Sequence, residues 1–228
     1  MPRAVVLLSG GLDSATCLAW AVREEFDAHA LTVHYGQRHG VEIERARRIA
    51  VALGASSHRI VDLDLTFLAG SALTDRSVAV PKGRSDETIA ASIPPTYVPA
   101  RNALFLTLAL AWAEALGAWD LVIGVNAIDY SGYPDCRPEF LRAFEALARA
   151  GTRAGVEGAP ARVHAPLAAL TKAEIVRRAL DWGVPIAQTL SCYDPSANGT
   201  PCGACDACRL RDRGFREAGI ADPALRAG

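Results

Sequence analysis

Apolar residues run unbroken from Ala4 to Leu8 and then stop at Ser9-Gly10-Gly11. Such a run, with no polar residue inside it, predicts a buried strand of a parallel sheet. Beyond the glycines, Ala15, Leu18, Ala19 and Val22 recur at helical spacing, which predicts a helix from near Asp13. Ala28 to His34 predicts a second strand, ended by Tyr35-Gly36. Ile43, Ala46, Ile49, Ala50 and Leu53 then make an apolar stripe, with Glu42, Glu44, Arg45, Arg47 and Arg48 on the opposite, polar face and Gly54 as the stop. His58 to Leu63 gives a third strand. This βαβαβ rhythm predicts an α/β fold built on a doubly wound parallel sheet.

Leu65 to Pro99 breaks the rhythm, with Pro81-Lys82-Gly83 and Pro94-Pro95 and little periodicity. A connection this long in a compact domain is functional or mobile, and it is expected either to close over a ligand or to build a dimer contact. Ala103 to Leu116 is almost wholly apolar and predicts a core helix ending at Gly117. A fourth strand is expected at Leu121 to Val125, a helix at Phe140 to Ala150 before Gly151, and a short strand at Arg162 to Ala165. Thr171 and Glu174 fit a capping box, with Leu170 and Ile175 placed as a hydrophobic staple. That helix should end at Gly183, before Pro185. No internal repeat or low-complexity tract interrupts the pattern.

Composition narrows the function classes. Of 228 residues, 50% are hydrophobic and 21% charged, enough for a sizeable core. A net charge of −1 argues against a broad nucleic-acid or anionic-membrane surface. No apolar run approaches the roughly 18–20 residues of a membrane span. Met1-Pro2-Arg3 leads directly into the first strand, so no signal peptide and a cytoplasmic location are expected.

Candidate chemistry lies first in Ser9-Gly10-Gly11-Leu12-Asp13-Ser14. It is not a Walker A loop, having no G-K-[ST]. It does sit between a strand's C-terminal end and a helix N-terminus, where open α/β sheets bind ligands. Residues without Cβ let backbone N–H groups approach an anion, and the helix end adds unpaired donors and the positive end of its dipole. Ser9 and Ser14 add hydroxyls. Asp13 either caps the helix or faces a magnesium ion.

Four of the six cysteines form a second site. Cys192, then Cys202-x2-Cys205-x2-Cys208, lets neighbouring thiolates converge on one ion, with Pro201 and Gly203 favouring the turns. Four thiolates suit a closed tetrahedral zinc site. An iron–sulfur cluster is the competitor, although the fourth cysteine lies upstream and no Cys-Pro follows. Cys17 and Cys136 read as structural or incidental thiols, and His34 and His39 as a strand end and a helix start.

The Ser9–Ser14 motif after a first strand resembles the PP-loop, or adenine nucleotide α-hydrolase, superfamily. Together with "HYGQRH" (34–39), "VPARN" (98–102), "GVNAIDYSGYPDCRPEF" (124–140), "LTKAEIV" (170–176) and "SCY…PCGACDAC" (191–208), it is similar along nearly the whole chain to the 7-cyano-7-deazaguanine synthase family of queuosine biosynthesis. The resemblance implies a Rossmann-type fold, with 1–185 as the nucleotide-binding catalytic domain and 186–228 as a zinc-binding segment packed on it. It implies an ATP-dependent ligase that converts 7-carboxy-7-deazaguanine and ammonia to the nitrile through adenylated intermediates and an amide. ATP, Mg2+ and Zn2+ are the implied cofactors. The nucleotide loop would span Leu8, Ser9, Gly10, Gly11, Leu12, Asp13, Ser14, Ala15, Thr16, Cys17 and Leu18. Asp13, Ser14, Arg101 and Lys172 would be the catalytic residues, with Arg101, just ahead of a core helix, and Lys172, in a helix's first turn, facing the phosphates. Asp129, Tyr130, Asp135 and Arg137 would read the deazaguanine or its carboxylate.

Other PP-loop enzymes are the alternative. tRNA-thiolating and tRNA-lysidine-type ligases need a basic tRNA surface, which a net charge of −1 argues against. NAD and GMP synthetases would share the loop but not the cysteines. A zinc-ribbon binding module without catalysis leaves Ser9–Ser14 unexplained. No fused glutaminase fits in 228 residues, so free ammonium or a partner protein would supply nitrogen. The expected partners are small molecules and a second copy of the chain as a homodimer, with no nucleic acid and no membrane.

Overall fold

In the computed structural model, residues 1–38, 40–85, 88–89, 93–127 and 132–225 are described. Strand β1 (Arg3–Leu7) leads into helix α1 (Leu12–Arg23), followed by β2 (Asp27–His34), α2 (Val41–Ala52) and β3 (Ser57–Asp62). The second half contributes α3 (Arg101–Leu116), β4 (Asp120–Val122), α4 (Pro138–Gly151), β5 (Arg162–His164), α5 (Lys172–Asp181) and α6 (Asp206–Ala218). The strands form one parallel sheet in the order β3-β2-β1-β4-β5. Ala4 sits opposite Ala28 of β2 on one side and Asp120 of β4 on the other. The order therefore reverses at β1, and the crevice beyond the C-terminal ends of β1 and β4 is the switch point of a doubly wound sheet.

The alternation of β1 explains both layers. Ala4, Val6 and Leu8 face a core made with α1, α2, α5 and Phe215 of α6. Val5 and Leu7 face the opposite core, built on Leu106, Ala109, Leu110 and Ala113 of α3 and Leu141 and Phe144 of α4. A parallel strand covered on both faces has to be apolar at every buried position, as this one is from Ala4 onward.

Several expected elements come out differently. The core helix expected over Ala103 to Leu116 begins at Arg101 and enters the core through one stripe, while Leu104 is 37% exposed. β4 stops at Val122, short of the expected Val125. The chain next passes close under α1: a Cβ on Gly124 would lie 3.2 Å from the Asp13 carbonyl carbon and the Ser14 nitrogen. The segment 65–99 is docked through its described residues. Arg38 donates to the carbonyls of Ala72, Asp75 and Val78, and Lys82 makes a β-bridge with Cys205. Among the described residues, no helix is long and apolar enough to cross a membrane.

Candidate active site

The turn from β1 to α1 is held open by its own residues. Gly10 has φ +85°, and a Cβ there would fall 2.5 Å from the Glu42 carbonyl oxygen, so neither the conformation nor the space admits a side chain. The Ser9 and Ser14 hydroxyls lie 3.0 Å apart, and Ser14 Oγ also accepts the Ser9 N–H at 3.1 Å. The Gly11 N–H reaches Ser9 Oγ at 3.3 Å, and the Leu12 N–H reaches Ser191 Oγ at 3.3 Å. Two hydroxyls and a helix N-terminus thus converge on the mouth of a cleft of about 290 Å³.

The charges in the cleft are arranged in pairs. Lys172 Nζ lies 2.8 and 2.6 Å from the two carboxylate oxygens of Asp13, and Asn126 Nδ2 donates to the second of these at 3.0 Å. A lysine at the start of a helix opposes the dipole, and the Asp13 carboxylate supplies the anion that offsets it. Arg101 Nη1 donates to Tyr35 Oη at 3.3 Å, with its guanidinium 5.6 Å from the Tyr35 ring centroid. Glu42 lines the same wall. Burial pushes its carboxyl up to about 8, against the pull of Arg101. Tyr133 and Tyr193, their hydroxyls 3.5 Å apart, line the wall beside these charges.

Beside the cleft, the cysteines converge. The sulfurs of Cys192, Cys202, Cys205 and Cys208 all lie within 4.8 Å of one another. Their backbone is shaped around them: the Cys202 and Asp194 N–H groups donate to Cys192 Sγ, Tyr193 N–H to Cys205 Sγ, and Cys205 N–H to Cys202 Sγ. The Cys192 and Cys208 thiols hold Cys205 well below the usual thiol range. Four mutually close thiols with N–H groups already directed at the sulfurs fit a tetrahedral metal ion. The cluster also anchors the long segment. Gly83 N–H donates to the Ala204 carbonyl at 2.9 Å, Lys82 pairs with Asp194 at 2.9 Å, and Arg84 pairs with Asp206 at 2.9 Å.

Residues 3–219 match the family model described as "Queuosine biosynthesis protein QueC". The chain belongs to that family. It is 67% identical over 223 residues to the 7-cyano-7-deazaguanine synthase of Anaeromyxobacter sp. (strain Fw109-5), covering 98% of this chain and 95% of that one. The 7-cyano-7-deazaguanine synthase of Myxococcus xanthus (strain DK1622) is 58% identical, over 97% of this chain and 96% of that protein. Among solved structures, NMN synthetase from Francisella tularensis shares the fold, with a TM-score of 0.51 and 18% identity over 98% of this chain and 81% of that one.

Of the expected site residues, Leu8, Ser9, Leu12, Asp13, Ser14, Arg101 and Lys172 line the cleft. Ala15, Thr16, Cys17 and Leu18 do not. They point into the core, where the Thr16 hydroxyl bonds to the Leu12 carbonyl and Cys17 is fully buried, its thiol pushed up by burial. Asp135 is absent from the cleft wall too, because its carboxylate accepts the Asn102 N–H at 2.9 Å and serves the start of α3. Arg137 lies exposed ahead of α4. Asp129 and Tyr130, like His39, lie outside the described residues. His34 ends β2 and bonds to Asp62 at 2.8 Å. Glu42 was expected on the outward face of α2 and faces the cleft instead. Ser191, Arg211, Tyr133 and Tyr193 were missed. All but Arg211 fall inside the quoted motif stretches, which was the available signal.

Proposed function

We propose that this chain converts 7-carboxy-7-deazaguanine, ammonia and ATP to 7-cyano-7-deazaguanine. The observation that carries the reading is the Ser9–Ser14 loop, whose two hydroxyls meet a helix N-terminus at the sheet's switch point. Relatives 64–67% identical over 97–98% of this chain are named for that synthase.

The chemistry explains why such a loop is wanted. A carboxylate resists attack because its leaving group would be oxide. Transfer of AMP from ATP gives the acyl-adenylate and pyrophosphate, and ammonia then displaces AMP to give the amide, releasing a proton. A second transfer to the amide oxygen again expels pyrophosphate. Loss of AMP and a proton from the resulting imidate leaves the nitrile. Because pyrophosphate departs in both rounds, one set of phosphate-holding groups serves twice. In this reading the loop N–H groups, Ser9 and Ser14 hold the departing pyrophosphate, Arg101 and Lys172 offset its charge, and the Tyr133–Tyr193 wall packs on the flat heterocycle.

Zinc is the metal proposed for the four cysteines, as a structural ion. Magnesium is read as the counter-ion that arrives with the nucleotide, since Lys172 and Asn126 already hold the only carboxylate of the loop. Incubation with the carboxy-deazaguanine, ammonium and Mg-ATP should give the nitrile, AMP and pyrophosphate by mass spectrometry. Formation of ADP, or no consumption of the heterocycle, would refute the reading. Ser14→Ala should lose ATP–pyrophosphate exchange by about 100-fold, as expected for a donor to developing charge, and Asp13→Ala should lose it as well by removing the carboxylate that positions the Lys172 ammonium.

A further inference from the structure

Helix α6 reaches the nucleotide loop through two contacts that the proposed chemistry does not use. Gly214 lies on its buried side, and a Cβ there would fall 2.4 Å from Cγ of Lys172 and 3.0 Å from its Cβ. The Lys172 stem therefore lies directly across bare backbone before its ammonium meets Asp13. A lysine stem is among the most mobile side chains. Confined between two helices, it presents its charge at one place.

One turn earlier, Arg211 is fixed from behind. Nε and Nη2 pair with the two Asp222 oxygens at 2.6 and 3.0 Å, and the guanidinium lies 5.3 Å from the Phe215 ring centroid. Its Nη1 donates to Thr189 Oγ1 at 2.8 Å and reaches Ser191 Oγ at 3.5 Å. Ser191 Oγ in turn accepts the Leu12 N–H, and next to it the Leu190 N–H donates to the Gly10 carbonyl at 3.0 Å. A buried, bidentate arginine gives that strand of contacts little freedom.

We propose that Gly214 and Arg211 are positioning residues of the nucleotide site. Gly214 leaves room for the stem of Lys172, and Arg211, through Ser191, holds the Gly11–Leu12 turn. The proposal rests on the reading of Ser9–Ser14 as the nucleotide loop. The helix that begins at the four-cysteine cluster is thus also a wall of the active site.

Calorimetric titration with Mg-ATP tests this on the full-length chain, with metal content and melting temperature measured alongside. Absence of binding by the unaltered protein would remove the nucleotide reading, and the positioning role with it. Given binding, Gly214→Ala is expected to weaken it about tenfold, the size of one lost charge-assisted hydrogen bond, with metal content unchanged. In a Lys172→Met background the same substitution should change affinity less than about twofold, because the group it acts through is gone. A Gly214→Ala chain that does not fold should be restored by Lys172→Ala, which removes the clashing Cγ. Ser191→Ala adds no volume and should weaken Mg-ATP binding about threefold at an unchanged melting temperature, as loss of a neutral hydrogen bond would. Unaltered affinity in Gly214→Ala, an equal loss in the Lys172→Met background, or failure of Lys172→Ala to restore folding would overturn the role of Gly214. Unaltered affinity in Ser191→Ala would overturn that of Arg211.

Discussion

Glu42 shows how a single placement changes a residue's chemistry. On a helical wheel it belongs to the charged face of α2, yet it lines the same cleft as Tyr35 and Arg101, whose charge pulls on its carboxyl. Burial raises it to about 8 from an ordinary 4.5. Between those values the folded chain holds a proton that the unfolded chain releases, so unfolding free energy falls as pH rises through that window. Glu42→Gln copies the protonated form and escapes the penalty. Urea unfolding at pH 5 and pH 8.5 should therefore show the variant gaining about 1–3 kcal/mol over the parent at the higher pH, after allowance for water in the cleft. A gap that stayed constant with pH would mean that Glu42 is ionised throughout.

At the scale of elements, legibility in the sequence followed the kind of residue that faces inward. β1, α1, β2 and α2 were readable because aliphatic side chains carry their periods. The capping box of α5 formed as expected, with Thr171 Oγ1 accepting the Glu174 N–H and Glu174 reaching back to the Thr171 N–H. The long α6 was invisible by the same test. Its buried positions are Asp206, Cys208, Arg211, Gly214 and Phe215, only one of them a large apolar residue. The bond from Asp135 to the start of α3 was not legible for a related reason, since a carboxylate in a loop reads alike whether it faces a ligand or a helix N-terminus. The cysteine spacing was the most legible feature of the site, and it also governs the segment that was least legible, because Lys82 to Arg84 dock on Cys205, Ala204 and Asp206. Removing the proposed zinc with a chelator should therefore free residues 82–84 as well as the cluster. Hydrogen exchange at the Gly83 amide should accelerate at least about tenfold, since its acceptor, the Ala204 carbonyl, lies between two of the four cysteines. Unchanged protection would separate the segment from the metal.

Over the whole molecule, the C-terminal stretch is continuous with the sheet layer. Phe215 is 2% exposed and packs in the core that also holds Ala4, Val6, Leu12, Ile175 and Val176. Gly214 lies against Lys172, and Arg211 is locked to Asp222 and Thr189, so α6 and α5 share one interface above α1. A segment that merely bound metal at the end of a finished domain would lose its ion without disturbing the sheet. Here the two should come apart together. Phe215→Ala removes a large side chain from a packed layer, a change that costs about 3–5 kcal/mol, while every sulfur ligand remains in place. The variant should unfold at lower urea, with metal release, followed by a chromogenic chelator, coinciding with the loss of tryptophan fluorescence in a single transition. Two separated transitions, with the metal leaving first and the parent's midpoint retained for the sheet, would show that residues 186–228 form an independent unit and that the shared core contributes little to stability.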